Sequence, residues 1–145
     1  MRSDSTAVLL DTCAVIWLAE GAHLAPAALE AIIQAGRGGG IWVSPASAWE
    51  IGMLSRPKPS RAASLEFRPD PKTWFARFMA GPGVRAAPIT PDIAIEASYL
   101  PGEPHADPGD RLIIATARRL GVPIITRDRK IIAYAEQGYA QVIRC

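Results

Sequence analysis

Cysteine is nearly missing from this chain: Cys13 and Cys145 are the only two, far apart in sequence and outside any Cys-x-x-Cys spacing. That excludes a disulfide framework and a structural zinc site and fits a reducing cytoplasm. Histidine is equally scarce, and no histidine pair stands near the acidic residues, which argues against zinc chemistry. No apolar run approaches the about 18 residues that span a bilayer. The opening MRSDST holds an acid and no long apolar core, so a soluble, cytoplasmic protein is expected. Charge of one sign is not in excess either. A formal net charge of +2 is too mild, averaged over the chain, to mark a nucleic-acid binder. Internal repeats are absent, and an apolar share of 49% with 21% charged residues excludes disorder as a whole-chain description. The 145 residues suit a single domain with one core.

What is present is an alternation of short apolar strands with helical patterns. Ala7 to Leu10 reads as a buried strand that runs directly into a helix over TCAVIWLAEG, ending near Gly21. Pro26 opens a second helix, with Leu29, Ile32 and Ile33 on its apolar stripe and Gly36 with the RGGG loop as its stop. Ile41 to Val43 is the next strand. Ser44 and Pro45 then start a helix whose apolar side chains are Trp49, Ile51, Met53 and Leu54.

Residues 56–72 are rich in proline and basic side chains without a sustained period, and read as a surface excursion. From Arg56 to Arg77 six cations (Arg56, Lys58, Arg61, Arg68, Lys72, Arg77) stand against Glu66 and Asp70, so the positive excess is concentrated there. Asp70 and Pro71 begin a short helix whose Trp74, Phe75, Phe78 and Met79 are expected to pack inward. A strand over Val84 to Ile89 precedes a helix capped by Thr90, with Ile93, Ala94, Ala97 and Leu100 as its stripe. Asp107 and Pro108 start the most strongly signalled helix, which Arg118, Arg119 and Gly121 close. A strand over Val122 to Thr126, a short helix around Ile131 to Ala135 and a strand over Gln141 to Ile143 complete the chain. This order predicts an α/β fold: a central parallel sheet of about five strands with helices on both faces.

Asp11 follows the first strand, Glu50 lies on the helix after the second, Asp107 and Asp110 open the helix before the fourth, and Asp128 follows the fourth. Right-handed crossovers bring these segments to one edge of the sheet, where α/β proteins bind ligands. Carboxylates gathered in one cleft repel and raise one another's pKa unless something neutralises them. Mg²⁺ or Mn²⁺ does so with oxygen ligands, and such ions serve phosphodiester hydrolysis. Each acid also has a reading as a helix-terminal residue: Asp11 and Asp107 as N-caps, Asp110 and Glu50 at capping-box positions after Asp107 and Ser47, Asp128 as a cap or turn residue. Thr126 and Thr12 are supporting candidates that hold a carboxylate or else simply end a strand or start a helix. Cys13, without a partner for a nucleophilic dyad, is expected to be a packed small side chain, and His23 and His105 to be solvated loop residues. The basic excursion, with Arg56, Lys58 and Arg61, is the best candidate for contact with a phosphate backbone. Arg111, next to Asp110, is a candidate for neutralising a carboxylate or touching a phosphate. A phosphate-accepting receiver domain also clusters acids at strand ends, but it needs a lysine at a later strand end, where this chain has Thr126 and Arg127.

Taken together, LLDTCAVIW, SAWEIGM, APITPDIAIEASYLP, HADPGDRLIIATA and ITRDRKI resemble, in order and spacing, the PIN-domain ribonucleases, and more narrowly the VapC-type toxins of bacterial toxin-antitoxin pairs. The resemblance covers nearly the whole of 1–145 as a single PIN-like domain. It implies a metal-dependent endoribonuclease that hydrolyses RNA phosphodiester bonds with metal-activated water, with Mg²⁺ or Mn²⁺ held by Asp11, Glu50, Asp110 and Asp128, Asp107 beside them and Thr126 in support. It also implies an antitoxin partner that blocks the cleft, and a homodimer. A PIN nuclease outside a toxin-antitoxin pair, or an idle PIN scaffold that binds RNA or protein, is the alternative. Two positions depart from the family's pattern: Cys13 stands where many relatives have histidine, and Gly109 where they have an aromatic residue.

Overall fold

A computed structural model describes residues 6–57 and 65–145. Lys58 and Arg61, two of the cations assigned to RNA contact, lie outside the described residues. The elements follow one another as β1 (Val8–Leu10), α1 (Thr12–Glu20), α2 (Pro26–Arg37), β2 (Ile41–Val43), α3 (Pro45–Leu54), α4 (Pro71–Met79), β3 (Val84–Ala86), α5 (Pro91–Ser98), α6 (Pro108–Leu120), β4 (Ile124–Thr126), α7 (Arg129–Glu136) and β5 (Val142–Arg144). Among the described residues no helix is long and apolar enough to cross a membrane.

All strand pairings are parallel, in the order β3-β2-β1-β4-β5. The central strand has apolar side chains on both faces because both are covered. Val8 and Leu10 enter a cluster with Val15, Ile32, Ile51 and Phe67, whereas Ala7 and Leu9 enter one with Ile93, Ile113, Ile131 and Tyr134. The first cluster belongs to the helices that precede β3 and the second to those that follow it, together with Ala46 of α3. The chain changes faces between β3 and β4 and places β4 against β1. Strand order therefore reverses between β1 and β4, which is where an open α/β sheet leaves a crevice beyond its carboxyl ends.

Helix starts match the sequence: Asp11, Ser44, Asp70, Thr90, Asp107 and Asp128 each accept a backbone N–H from the first turn of their helix. Several expectations are corrected. Gly36 lies inside α2, which runs to Arg37 and ends in the RGGG loop with Gly38 as its C-cap. Gly36 is where Gly83, with φ +78°, approaches so closely that a Cβ on Gly83 would stand 2.7 Å from the Gly36 Cα. The tight contact requires glycine at 83, whereas a Cβ at Gly36 would meet only Ile41 Cδ1 at 3.4 Å. The buried stripe of α2 is Ala28, Ile32 and Ala35, and Leu29 and Ile33 face outward, because small residues let the helix lie close on the sheet. Similarly, Ile51 supplies the core of α3 while Trp49 stays 54% exposed. The strand expected over Val84 to Ile89 pairs only from Val84 to Ala86, although Ala87 N still donates to Val43 O at 2.9 Å before Pro88 intervenes. The excursion over 56–72 is pinned at its far end: Phe67 is buried and meets Trp74 edge-on at 4.9 Å.

Candidate active site

The acids meet beyond β1 and β4. Asp11 N continues the sheet ladder by donating to Ile125 O at 3.2 Å, which sets Asp11 beside Thr126. As N-cap of α1, Asp11 accepts the Ala14 N–H on Oδ1 at 2.8 Å, and Thr126 Oγ1 donates to Oδ2. Thr126 Oγ1 also accepts the Asp128 N–H at 2.9 Å, so one buried hydroxyl links two acids. Asp128 spends Oδ1 on capping α7, accepting from Lys130 N at 2.8 Å and Ile131 N at 3.1 Å. On the other side of the cleft Thr12 Oγ1 donates to Glu50 Oε1 and lies 3.0 Å from the Oγ of the fully buried Ser47. Asp107 caps α6 by accepting the Asp110 N–H on Oδ1 at 3.0 Å. Asp11, Thr12, Cys13, Glu50, Met53, Leu54, Asp107, Asp110 and Asp128 together line a cleft of about 240 Å³.

Burial is the main electrostatic cost. Asp11 is 4% exposed, and desolvation raises its pKa to about 6 against the lowering effect of its bonds from Thr126 and Ala14, with Asp128 and Glu50 adding to the rise. Asp110 is pushed to about 7, first by burial and then by Asp107, Asp128, Glu50 and Asp11. Glu50 is raised by burial, partly offset by the Thr12 bond. Repulsion among the acids therefore contributes, but it ranks behind desolvation. The N-termini of α1, α6 and α7 point backbone N–H groups at the same cleft and soften its negative field.

Oxygen donors dominate the cleft, and among the described residues two sets of side chains are close enough to share an ion. Carboxylate oxygens of Glu50, Asp107 and Asp110 lie within 4.8 Å of one another, as do ligand atoms of His105, Asp110 and Asp128. Asp110 belongs to both sets. Acids gathered at one cleft, with Asp11 buried, Glu50 and Asp110 half-buried and these three raised in pKa, fit a hard divalent cation, whose charge would relieve the desolvation penalty.

Comparison with known proteins places the chain in a family. The family model described as PIN domain matches residues 8–137. The chain belongs to the PIN-domain family. It is 34% identical over 127 residues to Ribonuclease VapC22 of Mycobacterium tuberculosis (strain ATCC 25618 / H37Rv), an alignment covering 87% of this chain and 90% of that relative. In fold it is similar to a crystal structure of VapBC2 from Rickettsia felis bound to a DNA fragment from their promoter, with a TM-score of 0.64 at 12% identity over 95% of this chain and 98% of that one. It is also similar to a structure of FitAB bound to the IR36 DNA fragment, with a TM-score of 0.51 at 18% identity over 94% of both chains.

Within this PIN domain the structure brings Asp11, Glu50, Asp107, Asp110 and Asp128 together with Thr12 and Thr126, as the sequence reading expects. Three expectations are corrected. His105 is not a solvated loop residue: its side chain is 19% exposed, and Nε2 stands 2.8 Å from Asp110 Oδ2, because the tight turn into α6 folds the imidazole over the helix start. Cys13 is exposed at the cleft rather than packed, since the second position of α1 faces outward. Its thiol is pushed up to about 11 by desolvation and then by Asp11, so it stays protonated and is no nucleophile. Arg111 turns from the carboxylates and donates to Ala97 O at 2.8 Å and Ser98 O at 3.0 Å, tying α6 to the end of α5. Arg127 is likewise occupied, with its guanidinium 3.7 Å over the Trp17 ring and donating to Cys145 O at 2.8 Å. Arg129 and Lys130, which sequence reasoning did not single out, line a shallow depression with His105, Asp107, Asp110 and Asp128. Their position in the first turn of a helix capped by a cleft acid is the available signal. Ser44 holds the cap of α3, as the Ser44–Pro45 start predicts, and Ser47, whose spacing to Glu50 suggests a capping box, supports Thr12 instead.

Proposed function

We propose that the protein is a divalent-cation-dependent endoribonuclease and the toxin of a toxin-antitoxin pair. The observation behind this is the convergence of acids from the ends of β1 and β4 and from α3 and α6 at the switch point of the sheet, with buried Asp11 and half-buried Asp110 raised to about 6 and about 7. Asp11, Glu50, Asp110 and Asp128 would hold Mg²⁺ or Mn²⁺, with Asp107 beside them. Such a cation activates water as a nucleophile and stabilises charge on the phosphodiester.

The chain's own groups orient the ligands and the RNA. Thr126 Oγ1 and the Ala14 N–H fix the Asp11 carboxylate, and Thr12 Oγ1 fixes Glu50. Arg129 and Lys130, beside the acids, supply positive charge for the phosphates flanking the scissile bond, and Arg56 stands at the start of the basic excursion. Exposed Trp49 lies one turn from Met53, which lines the cleft with Leu54, and this apolar wall suits an antitoxin segment inserted against the cleft. The similarity to Ribonuclease VapC22 and the folds shared with VapBC2 and FitAB support the toxin reading over that of an isolated RNA-processing nuclease.

The test is cleavage of total RNA by the purified chain in chelator and after addition of Mn²⁺ or Mg²⁺, followed by mapping of RNA ends. Cleavage that appears with the cation and is lost in Asp110→Asn supports the proposal. Equal cleavage in excess chelator, or none with either cation, overturns it.

A further inference from the structure

Arg111 stands beside Asp110 in the sequence yet takes no part in the chemistry described so far, and its guanidinium is committed elsewhere. The last four carbonyls of a helix have no intrahelical partner. In α5, Ser98 Oγ donates to Ile95 O at 2.6 Å and Tyr99 N to Glu96 O at 3.2 Å, and Arg111 satisfies the other two, through Nε to Ala97 O at 2.8 Å and Nη2 to Ser98 O at 3.0 Å. Its third nitrogen, Nη1, reaches across to His105 O at 3.4 Å, and its backbone N–H donates to Asp107 O at 3.0 Å. The two terminal nitrogens of one planar guanidinium therefore hold both ends of the loop between α5 and α6 at a fixed spacing. The middle of that loop has separate anchors on α7: Tyr134 Oη donates to Pro101 O at 2.6 Å, and Gln137 Oε1 accepts the Glu103 N–H at 2.9 Å.

We propose that Arg111 is a positioning residue for the cation site, whose bracket between Ser98 O and His105 O sets the turn into α6 and so the carboxylates of Asp107 and Asp110. Asp107 lies two residues beyond the bracketed His105 carbonyl and caps Asp110 N through Oδ1 at 3.0 Å. With Asp110 and Glu50 it forms one of the two sets of side chains that can share an ion. The α7 anchors stop at Glu103, and Arg111 takes over where the chain turns toward Asp107. Arg111 acts through this turn and touches neither the cation nor the RNA. This role rests on the cation-site reading above.

Two measurements keep the two apart. Amide hydrogen exchange in the metal-free protein should show the Asp110 N–H opening roughly 10-fold more often in Arg111→Ala, the change for loss of about one hydrogen bond, while the N–H groups of Ile113 to Ala117 keep their protection. Equal protection of Asp110 in both proteins, or faster exchange spread evenly along α6, overturns the positioning role whatever the cation does. Mn²⁺ calorimetry, run below the melting temperature of the variant, should show affinity lowered roughly 10- to 100-fold in Arg111→Ala, the range for loss of a group that orients a ligand. Arg111→Lys keeps positive charge at the end of α5 but cannot span two carbonyls as a fork, so it should recover melting temperature without recovering Mn²⁺ affinity. Wild-type affinity in Arg111→Ala, or full recovery of affinity in Arg111→Lys, overturns the bracket while leaving the cation site standing. No Mn²⁺ uptake by the unmodified protein overturns the cation site and the positioning role together.

Discussion

Replacing Asp11 by Asn should stabilise the metal-free protein while abolishing its activity. The carboxylate is buried at the end of the central strand, and its pKa rises from 3.8 to about 6, chiefly through desolvation. A folded-state pKa above the unfolded one means that this group's favourable contribution is complete below about pH 4 and is lost as pH rises through 6. Near pH 7.5 the ionised carboxylate then costs the fold about 3 kcal/mol, at 1.36 kcal/mol per pKa unit. Asn keeps an oxygen for the Ala14 N–H but cannot accept from Thr126 Oγ1, a loss of about 1 kcal/mol. The net gain of about 2 kcal/mol corresponds to a rise in melting temperature of roughly 5 °C for a chain of this size. Thermal unfolding in excess chelator, repeated from about pH 4.5 to 8, measures it. The advantage of Asp11→Asn should shrink as pH falls, because the wild-type carboxyl then folds protonated. With Mn²⁺ at about 100 times its Kd the wild type should gain about 2.7 kcal/mol and overtake the variant. An Asn variant less stable than wild type near pH 7.5 in chelator, or an advantage that widens toward acid, would refute the reasoning.

The other expectations concern the rest of the cleft. Asp110, at about 7, holds a proton about half the time near neutrality in the metal-free protein, so cation uptake must displace it. Mn²⁺ calorimetry in buffers of different ionisation enthalpy should show proton release near pH 6.5 that fades by about pH 8.5, with apparent affinity rising over the same interval. Gly109→Ala should weaken Mn²⁺ binding and cleavage while altering stability by less than about 1 kcal/mol. A Cβ there would stand 2.4 Å from Glu50 Oε2, and the group that must yield is the mobile end of a side chain. A lower melting temperature with unchanged Mn²⁺ affinity would contradict this. Arg129→Ala and Lys130→Ala should each weaken RNA binding in chelator and flatten its log-log salt dependence by about 0.7, the value for one lost phosphate contact on a single strand.

The sequence displayed most of the architecture because its punctuation is local. Six helix starts have an Asp, Ser or Thr accepting a first-turn N–H, and five of these are followed directly or in the next position by a proline or a buried helical run. The parallel order follows from crossover handedness once the alternation is read. What stayed hidden depends on how one element lies against another. Trp49 and Ile51 look alike in a sequence and differ by half a turn of α3, so one is exposed and the other fills the core. Gly83 shows no local sign of its constraint until Gly36, distant in the chain, is packed against it. His105 was invisible because nothing near it in the sequence marks the turn that carries its ring back onto Asp110, and Arg111, adjacent to that acid, turns the other way.

The acids carry the deeper lesson, since capping and ion binding are alternatives on paper and one arrangement in space. Asp107 and Asp128 each commit Oδ1 to backbone N–H groups of the helix they start, which fixes the carboxylate and leaves its second oxygen for the cleft. Asp11 uses the same device, with its second oxygen steadied by Thr126. A cap is worth about 1 kcal/mol and orients a side chain that would otherwise lose rotamer entropy on binding an ion. It also turns a helix N-terminus toward the acid, which lowers the cost of gathering negative charge before a cation arrives. Glu50 lacks such a cap and takes its orientation from Thr12, braced by Ser47. Thr12→Val, which keeps the shape and removes the hydroxyl, should therefore lower Mn²⁺ affinity through Glu50 with the fold intact. Retention of wild-type affinity in that variant would show that packing against Gly109 alone is enough to place Glu50.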